Sequence, residues 1–171
     1  MADVFGALRA DGEGWSVHFE RTYDTDGEDL WAAISDPSRL QRWFARVEGD
    51  LRPGGSLQIV FDEDDPGQRT QGRIQVCSPP RRLELTWEFQ GEGDSMLTVE
   101  LRPEGTATRL VLDHRRLPGQ AAAGYSAGWH LHLDALEADL RGTERPSWEQ
   151  RYPELLPAYR SSAAAASDLE G

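Results

Sequence analysis

The sequence predicts an α+β domain in which an antiparallel sheet is covered by one long helix. Three observations lead there. Several stretches alternate apolar and polar residues with a period of two, short turn clusters separate them, and one long amphipathic stretch follows the last of them. At 171 residues the chain suits a single domain with a sizeable core.

Each element has its own local reason. In "SVHFERTY", Val17, Phe19, Arg21 and Tyr23 share one face of a first strand. "TDGEDLWAAI" follows, with Thr25 and Glu28 at capping-box spacing ahead of Leu30, Trp31 and Ile34. "DPSRLQRWFA" starts a second short helix, since Asp36 can accept first-turn N–H groups and Pro37 suits the first helical position. "SLQIVFD", "TQGRIQV", "RLELTWEF", "MLTVEL" and "TRLVLDH" then read as five successive strands of a meander. "RPGG", "DDPGQ", "SPPRR", "QGEGDS" and "RPEGT" supply the turns. In "AAAGYSAGWHLHLDALEADLRG", Tyr125, Gly128, Trp129, His132, Leu133, Leu136 and Leu140 fall on one helical face, and Gly142 ends the helix.

These boundaries divide the chain into a flexible N-terminus over residues 1–14, a domain over 15–142 and an extension over 143–171. Three prolines break "RPSWEQRYPELLPAYR" too often for one helix. It is expected to wrap back onto the domain or to form a homodimer interface, with the last ten or so residues disordered.

Charge and motifs remove several function classes. Eighteen Lys and Arg against thirty Asp and Glu give a formal net charge of −12, which opposes nucleic acid and anionic membranes. Cys77 is the only cysteine, so neither an internal disulfide nor a multi-cysteine metal site is expected. No stretch resembles a signal peptide or a membrane span, and a cytoplasmic protein is expected. There is no phosphate loop, dinucleotide fingerprint, nucleophile elbow or H-E-x-x-H, and no cofactor is expected. His130 and His132 form an H-x-H pair, but on a helix they point about 200° apart and cannot share a metal. The acidic run Asp62 to Asp65 reads as a solvated hairpin tip, and Cys77 as structural.

The order strand, two helices, six strands, long helix, with "DLWAAISDPSRLQRWF", "GGSL", "LELTWEF", "TRLVLDH" and "GWHLHLDALEADL", resembles the START-like (SRPBCC) helix-grip superfamily. Within it the chain is similar to the activator of Hsp90 ATPase homologue-like family, from about Ser16 to about Gly142. The resemblance implies a curved sheet of about seven strands gripping the C-terminal helix, with two short helices after strand 1. It also implies an internal cavity that takes apolar or amphipathic small molecules. Trp43, Phe44, Trp87, Phe89, Tyr125 and Trp129 are the expected aromatic wall. His132, His114 and Arg21 are polar residues on inward faces, and His132 and His114 are the candidate acid/base groups. Small-molecule binding is the first expectation. Alternatives are a cyclase- or aromatase-like enzyme using the pocket histidines, and a co-chaperone-like regulator of an ATPase acting through protein contact.

Overall fold

The computed structural model describes residues 5–89 and 92–169, and in it the alternating stretches pair into one curved, open antiparallel sheet. Residues 1–4, Gln90 and Gly91 of the expected turn, and the last two residues of the expected disordered end lie outside the described range. The strands are β1 (Ala7–Asp11), β2 (Gly14–Tyr23), β3 (Arg46–Gly49), β4 (Ser56–Val60), β5 (Arg69–Ser78), β6 (Arg82–Phe89), β7 (Gly93–Glu104) and β8 (Ala107–Leu117). Their spatial order is β1-β2-β8-β7-β6-β5-β4-β3. The chain therefore starts at one edge, crosses to the other through helices α1 (Gly27–Ser35) and α2 (Pro37–Trp43), and meanders back until β8 pairs with β2. Helix α3 (Gly119–Arg141) then lies across the sheet. This is the helix-grip arrangement.

Local chemistry sets the boundaries. Asp36 caps α2 by accepting the Ser38 N–H, with Pro37 in the first helical turn. In α1 the cap is Asp26 rather than Thr25. Asp26 accepts the Asp29 N–H, while the Thr25 hydroxyl donates to the Asp29 carboxylate at 2.7 Å. Gly142 ends α3 at φ 66°, the left-handed conformation that glycine adopts without a Cβ penalty. At the "RPGG" turn, a Cβ on Gly55 would collide with the Asp50 carbonyl, and the Gly55 carbonyl accepts from Ile74 of β5 at 2.8 Å.

The sheet has eight strands among the described residues, against about seven expected, and residues of the expected flexible N-terminus supply one of them. Residues 7–11 form β1, paired with β2 from Ala7↔His18 to Asp11↔Gly14. No residue of β1 is fully buried, so its sequence carries no apolar face to read.

The extension also departs from expectation. Residues 148–168 form one helix, α4 (Trp148–Asp168), with Pro153 and Pro157 inside it. Each interior proline removes a helical hydrogen bond, at a cost of about 3 kcal/mol. Packing offsets that loss: Tyr152, Leu155 and Tyr159 recur at helical spacing, and Leu155 and Tyr159 are buried against the domain. The Tyr159 hydroxyl accepts the Gly6 N–H at 2.9 Å and meets His130 Nδ1 at 2.8 Å, joining the chain's two ends to α3. Leu155 and Tyr159 of the extension are thus covered within one chain, while Trp148 stays 43% exposed.

Helix α3 is enclosed from two sides. Trp129, Leu133 and Leu136 face the sheet. Ala127, Leu131 and Ala135, roughly opposite at about 100° per residue, are buried as well, and α4 is the element that covers that side. Leu136 is fully buried, and Leu136→Asp should lower stability by about 4 kcal/mol or more, because a lone carboxylate has no partner there. A urea-unfolding midpoint equal to that of the wild type would contradict this placement. Deleting residues 143–171 should uncover the Ala127–Leu131 side of α3, raising hydrophobic-dye binding and lowering the melting temperature. An unchanged melt would mean that α4 is not docked.

Candidate functional site

The end of α2 divides two neighbouring rings between two environments. Trp43 turns into the core, where its indole N–H donates to the Ala33 carbonyl at 2.9 Å. Phe44, the C-cap of the same helix, turns outward. Its ring stacks on Trp129 at 5.7 Å and meets His132 and Phe61 edge-on at 4.8 and 5.4 Å. Trp43 fills; Phe44 lines.

Phe44 borders a pocket of about 800 Å³ that opens to solvent. The sheet contributes Phe61, Trp87 and Phe89 to its wall, α3 contributes Tyr125, Trp129 and His132, and α4 contributes Trp148 and Tyr152. Trp148 and Tyr152 stack on each other at 5.5 Å and lie over Gly128 and Gly124. A Cβ at Gly124 would sit 3.2 Å from the Tyr152 hydroxyl, a tight approach, whereas one at Gly128 would make ordinary contact with Trp148 at 3.8 Å. Thr70 is fully buried and also borders the pocket, while Asp62, Asp65, Glu92 and Arg145 bring charge to it. Asp62 and Asp65 cap their own turn, accepting the Asp64 and Gly67 N–H groups. Behind the wall, Trp43, Trp87, Trp129 and core leucines surround a void of only about 70 Å³. The larger space is therefore an open pocket rather than the enclosed cavity expected.

Two hydrogen-bond chains hold the rings in place. The Trp129 indole N–H donates to His114 Nδ1 at 3.0 Å, which requires that nitrogen to be bare. The proton of His114 is then on Nε2, 2.7 Å from Ser95 Oγ, and Ser95 donates onward to the Trp87 carbonyl at 3.2 Å. In the second chain the Trp87 indole N–H donates to the Tyr125 hydroxyl at 3.2 Å, and Tyr125 donates to Glu92 at 2.7 Å. Each aromatic pair is locked by a polar group at its edge.

A chain with this sheet, this gripped helix and this pocket can be set beside known proteins. Residues 24–141 match the family model described as "Activator of Hsp90 ATPase homolog 1-like protein". The chain belongs to that family. Comparison with curated proteins gives no match. Among solved structures, CalU16 from Micromonospora echinospora is 31% identical, with 96% of this chain and 94% of that one covered and a TM-score of 0.73. The protein encoded by BPP1335 from Bordetella parapertussis is 30% identical over 94% and 92% of the two chains, with a TM-score of 0.72. EF2215 from Enterococcus faecalis, at 16% identity over 94% and 91%, shares the fold with a TM-score of 0.79.

Within this activator-homologue fold the expected polar residues separate. His132 reaches the pocket wall among Phe44, Phe61, Trp129 and Trp148. Burial, with help from Arg145 and against the Trp43 backbone, holds its pKa down to about 3. His114 does not line the pocket. It is fully buried behind Trp87 and Trp129, with a pKa lowered to about 3 by burial. Both ring nitrogens are committed to Ser95 and Trp129, so it holds rings in place. Arg21 is inward as expected but belongs to a different seam, paired with Asp134 of α3 at 2.7 Å. His130 and His132 diverge around α3 as helix geometry requires, and no group of metal-holding side chains exists among the described residues.

Phe61, Thr70, Glu92, Arg145, Trp148 and Tyr152 border the pocket but are not nominated by the sequence reading. Phe61 carries a usable signal, since it continues the inward alternation of Leu57 and Ile59. Trp148 and Tyr152 carry half of one, as aromatic rings in a proline-rich extension. Thr70 carries only the inward alternation that it shares with Gly72 and Ile74. Burial pushes the Tyr125 hydroxyl's pKa up, and Glu92 adds to the shift, so it stays a neutral donor.

His114 and His132 predict a pH profile. Both pKa values are depressed in the fold, so at neutral pH the native state carries neutral rings and the full stability is present. Below about pH 6.5 the unfolded chain takes up protons that the native state refuses, and stability falls by about 1.4 kcal/mol per pH unit per histidine until about pH 3. His18 acts in the opposite sense: burial lowers its pKa, but Asp113 and Glu20 outweigh that and raise it. Urea unfolding at pH 7, 6 and 5 should show the fall, and His114→Gln should remove about half of its slope. An unchanged slope in that variant would mean that His114 titrates as if exposed.

Proposed function

We propose that the protein binds a small apolar or amphipathic molecule in the pocket between the sheet, α3 and α4, and that it does so in the cytoplasm. The observation that carries this reading is an opening of about 800 Å³ walled by rings that hydrogen bonds hold apart rather than allow to collapse. Pockets of that size with mainly apolar walls and a few polar groups suit compact organic ligands. A lone half-buried thiol, Cys77, suits a reducing compartment. No helix among the described residues is long and apolar enough to cross a membrane.

Of the two candidate acid/base histidines only His132 is on the wall, and a ring with a pKa of about 3 is a weak base at neutral pH. Binding is therefore favoured over catalysis. Regulation of an ATPase through protein contact draws its support from the family's name alone.

A neutral bicyclic probe such as naphthalene tests the reading. Bound at about a hundred times its Kd, such a probe would stabilise the fold by about 2.7 kcal/mol and raise the melting temperature. Gly128→Leu places side-chain volume beneath Trp148, and its helix propensity favours folding by about 1 kcal/mol. That variant should melt at or above the wild-type temperature yet lose the probe's shift. A shift of equal size in both proteins would move the binding site elsewhere.

A further inference from the structure

Thr70 interrupts an otherwise apolar row. It faces inward from β5, between Ile59 of β4 and Phe89 of β6 in the strand register, and is 0% exposed. Its Oγ1 has no hydrogen-bond partner among the described residues. The other buried hydroxyls are all engaged. Tyr23 donates to the Leu133 carbonyl, Thr108 to that of Thr25, and Ser126 to that of Ala122. Ser95 lies between His114 and the Trp87 carbonyl, Thr98 accepts from Arg115, and Tyr159 meets Gly6 and His130. A buried hydroxyl without a partner opposes folding, and valine would fill the same volume without that penalty. Among the described residues, the one fully buried hydroxyl left open borders the pocket, beside Trp87 and Phe89.

The polar groups of the three rings around it are already taken. The Tyr125 hydroxyl both donates and accepts, and the indole N–H groups of Trp87 and Trp129 are spent on Tyr125 and His114. Thr70 Oγ1 is the open hydroxyl that a ligand oxygen passing those rings would meet. We propose that Thr70 Oγ1 is the pocket's hydrogen-bonding anchor and selects planar apolar ligands that carry a hydroxyl or carbonyl oxygen. A threonine hydroxyl both donates and accepts, so it pairs with either. A site built to bond an oxygen discriminates against the analogue that lacks it, because the buried group is then left unpaired.

This inference rests on the binding reading, and two probes separate them: naphthalene, and 2-naphthol, which adds one hydroxyl to the same rings. Affinities are read by titration of tryptophan emission and by melting shift. The wild-type protein should hold 2-naphthol on the order of tenfold tighter than naphthalene. Thr70→Val should keep naphthalene affinity within about twofold, abolish the 2-naphthol preference, and melt without ligand at or above the wild-type temperature. Thr70→Ser, which keeps the hydroxyl, should restore the preference. Equal wild-type affinity for the two probes, or a preference that survives in Thr70→Val, overturns the anchor while leaving the pocket intact. If neither probe binds the wild-type protein, the binding reading falls and the anchor falls with it.

Discussion

Because α3 buries side chains toward the sheet, through Trp129, Leu133 and Leu136, and away from it, through Ala127, Leu131 and Ala135, the sheet alone cannot complete the fold. A second layer has to cover the far side of the helix. Helix α4 does so despite two interior prolines, and its docking fixes where the pocket can be. Alanines and glycines at the start of α3 let α4 come close there without filling the space toward β5 and β6. The opening is what remains between a sheet that curves away and a helix with little side-chain volume at that end.

Polar groups in this fold serve mainly to hold apolar ones in place. His114 fixes Trp129 and, through Ser95, the Trp87 backbone, while Tyr125 fixes the Trp87 ring from the other side. Neutral groups suit that purpose, since an ion at His114 would lack a counter-charge. The depressed pKa of that ring and its role as a brace have one cause, complete burial beside indoles.

Elements with a buried face on one side were legible in the sequence, because burial writes a period into it. The six alternating strands, α1, α2 and the start and end of α3 follow from that period and from caps at Asp36 and Gly142. Strand β1 has no buried face, and so has no period to read. Helix α4 is concealed by Pro153 and Pro157, whose local penalty is overcome by tertiary packing that no window of sequence contains. For the site, Phe44, Trp87, Phe89, Tyr125, Trp129 and His132 come together as expected. Trp43, His114 and Arg21 share the inward direction but lie at other depths or seams, and alternation tells inward from outward without giving depth.

The family match ends at residue 141, yet Trp148 and Tyr152 stand on the pocket wall beyond it. Part of the aperture is thus carried by a length of chain beyond the matched framework. Exchanging rings along the first turns of α4 would reshape the entrance while every strand pairing and the sheet-facing side of α3 stayed as they are. Such a scaffold can have its pocket reshaped one wall at a time.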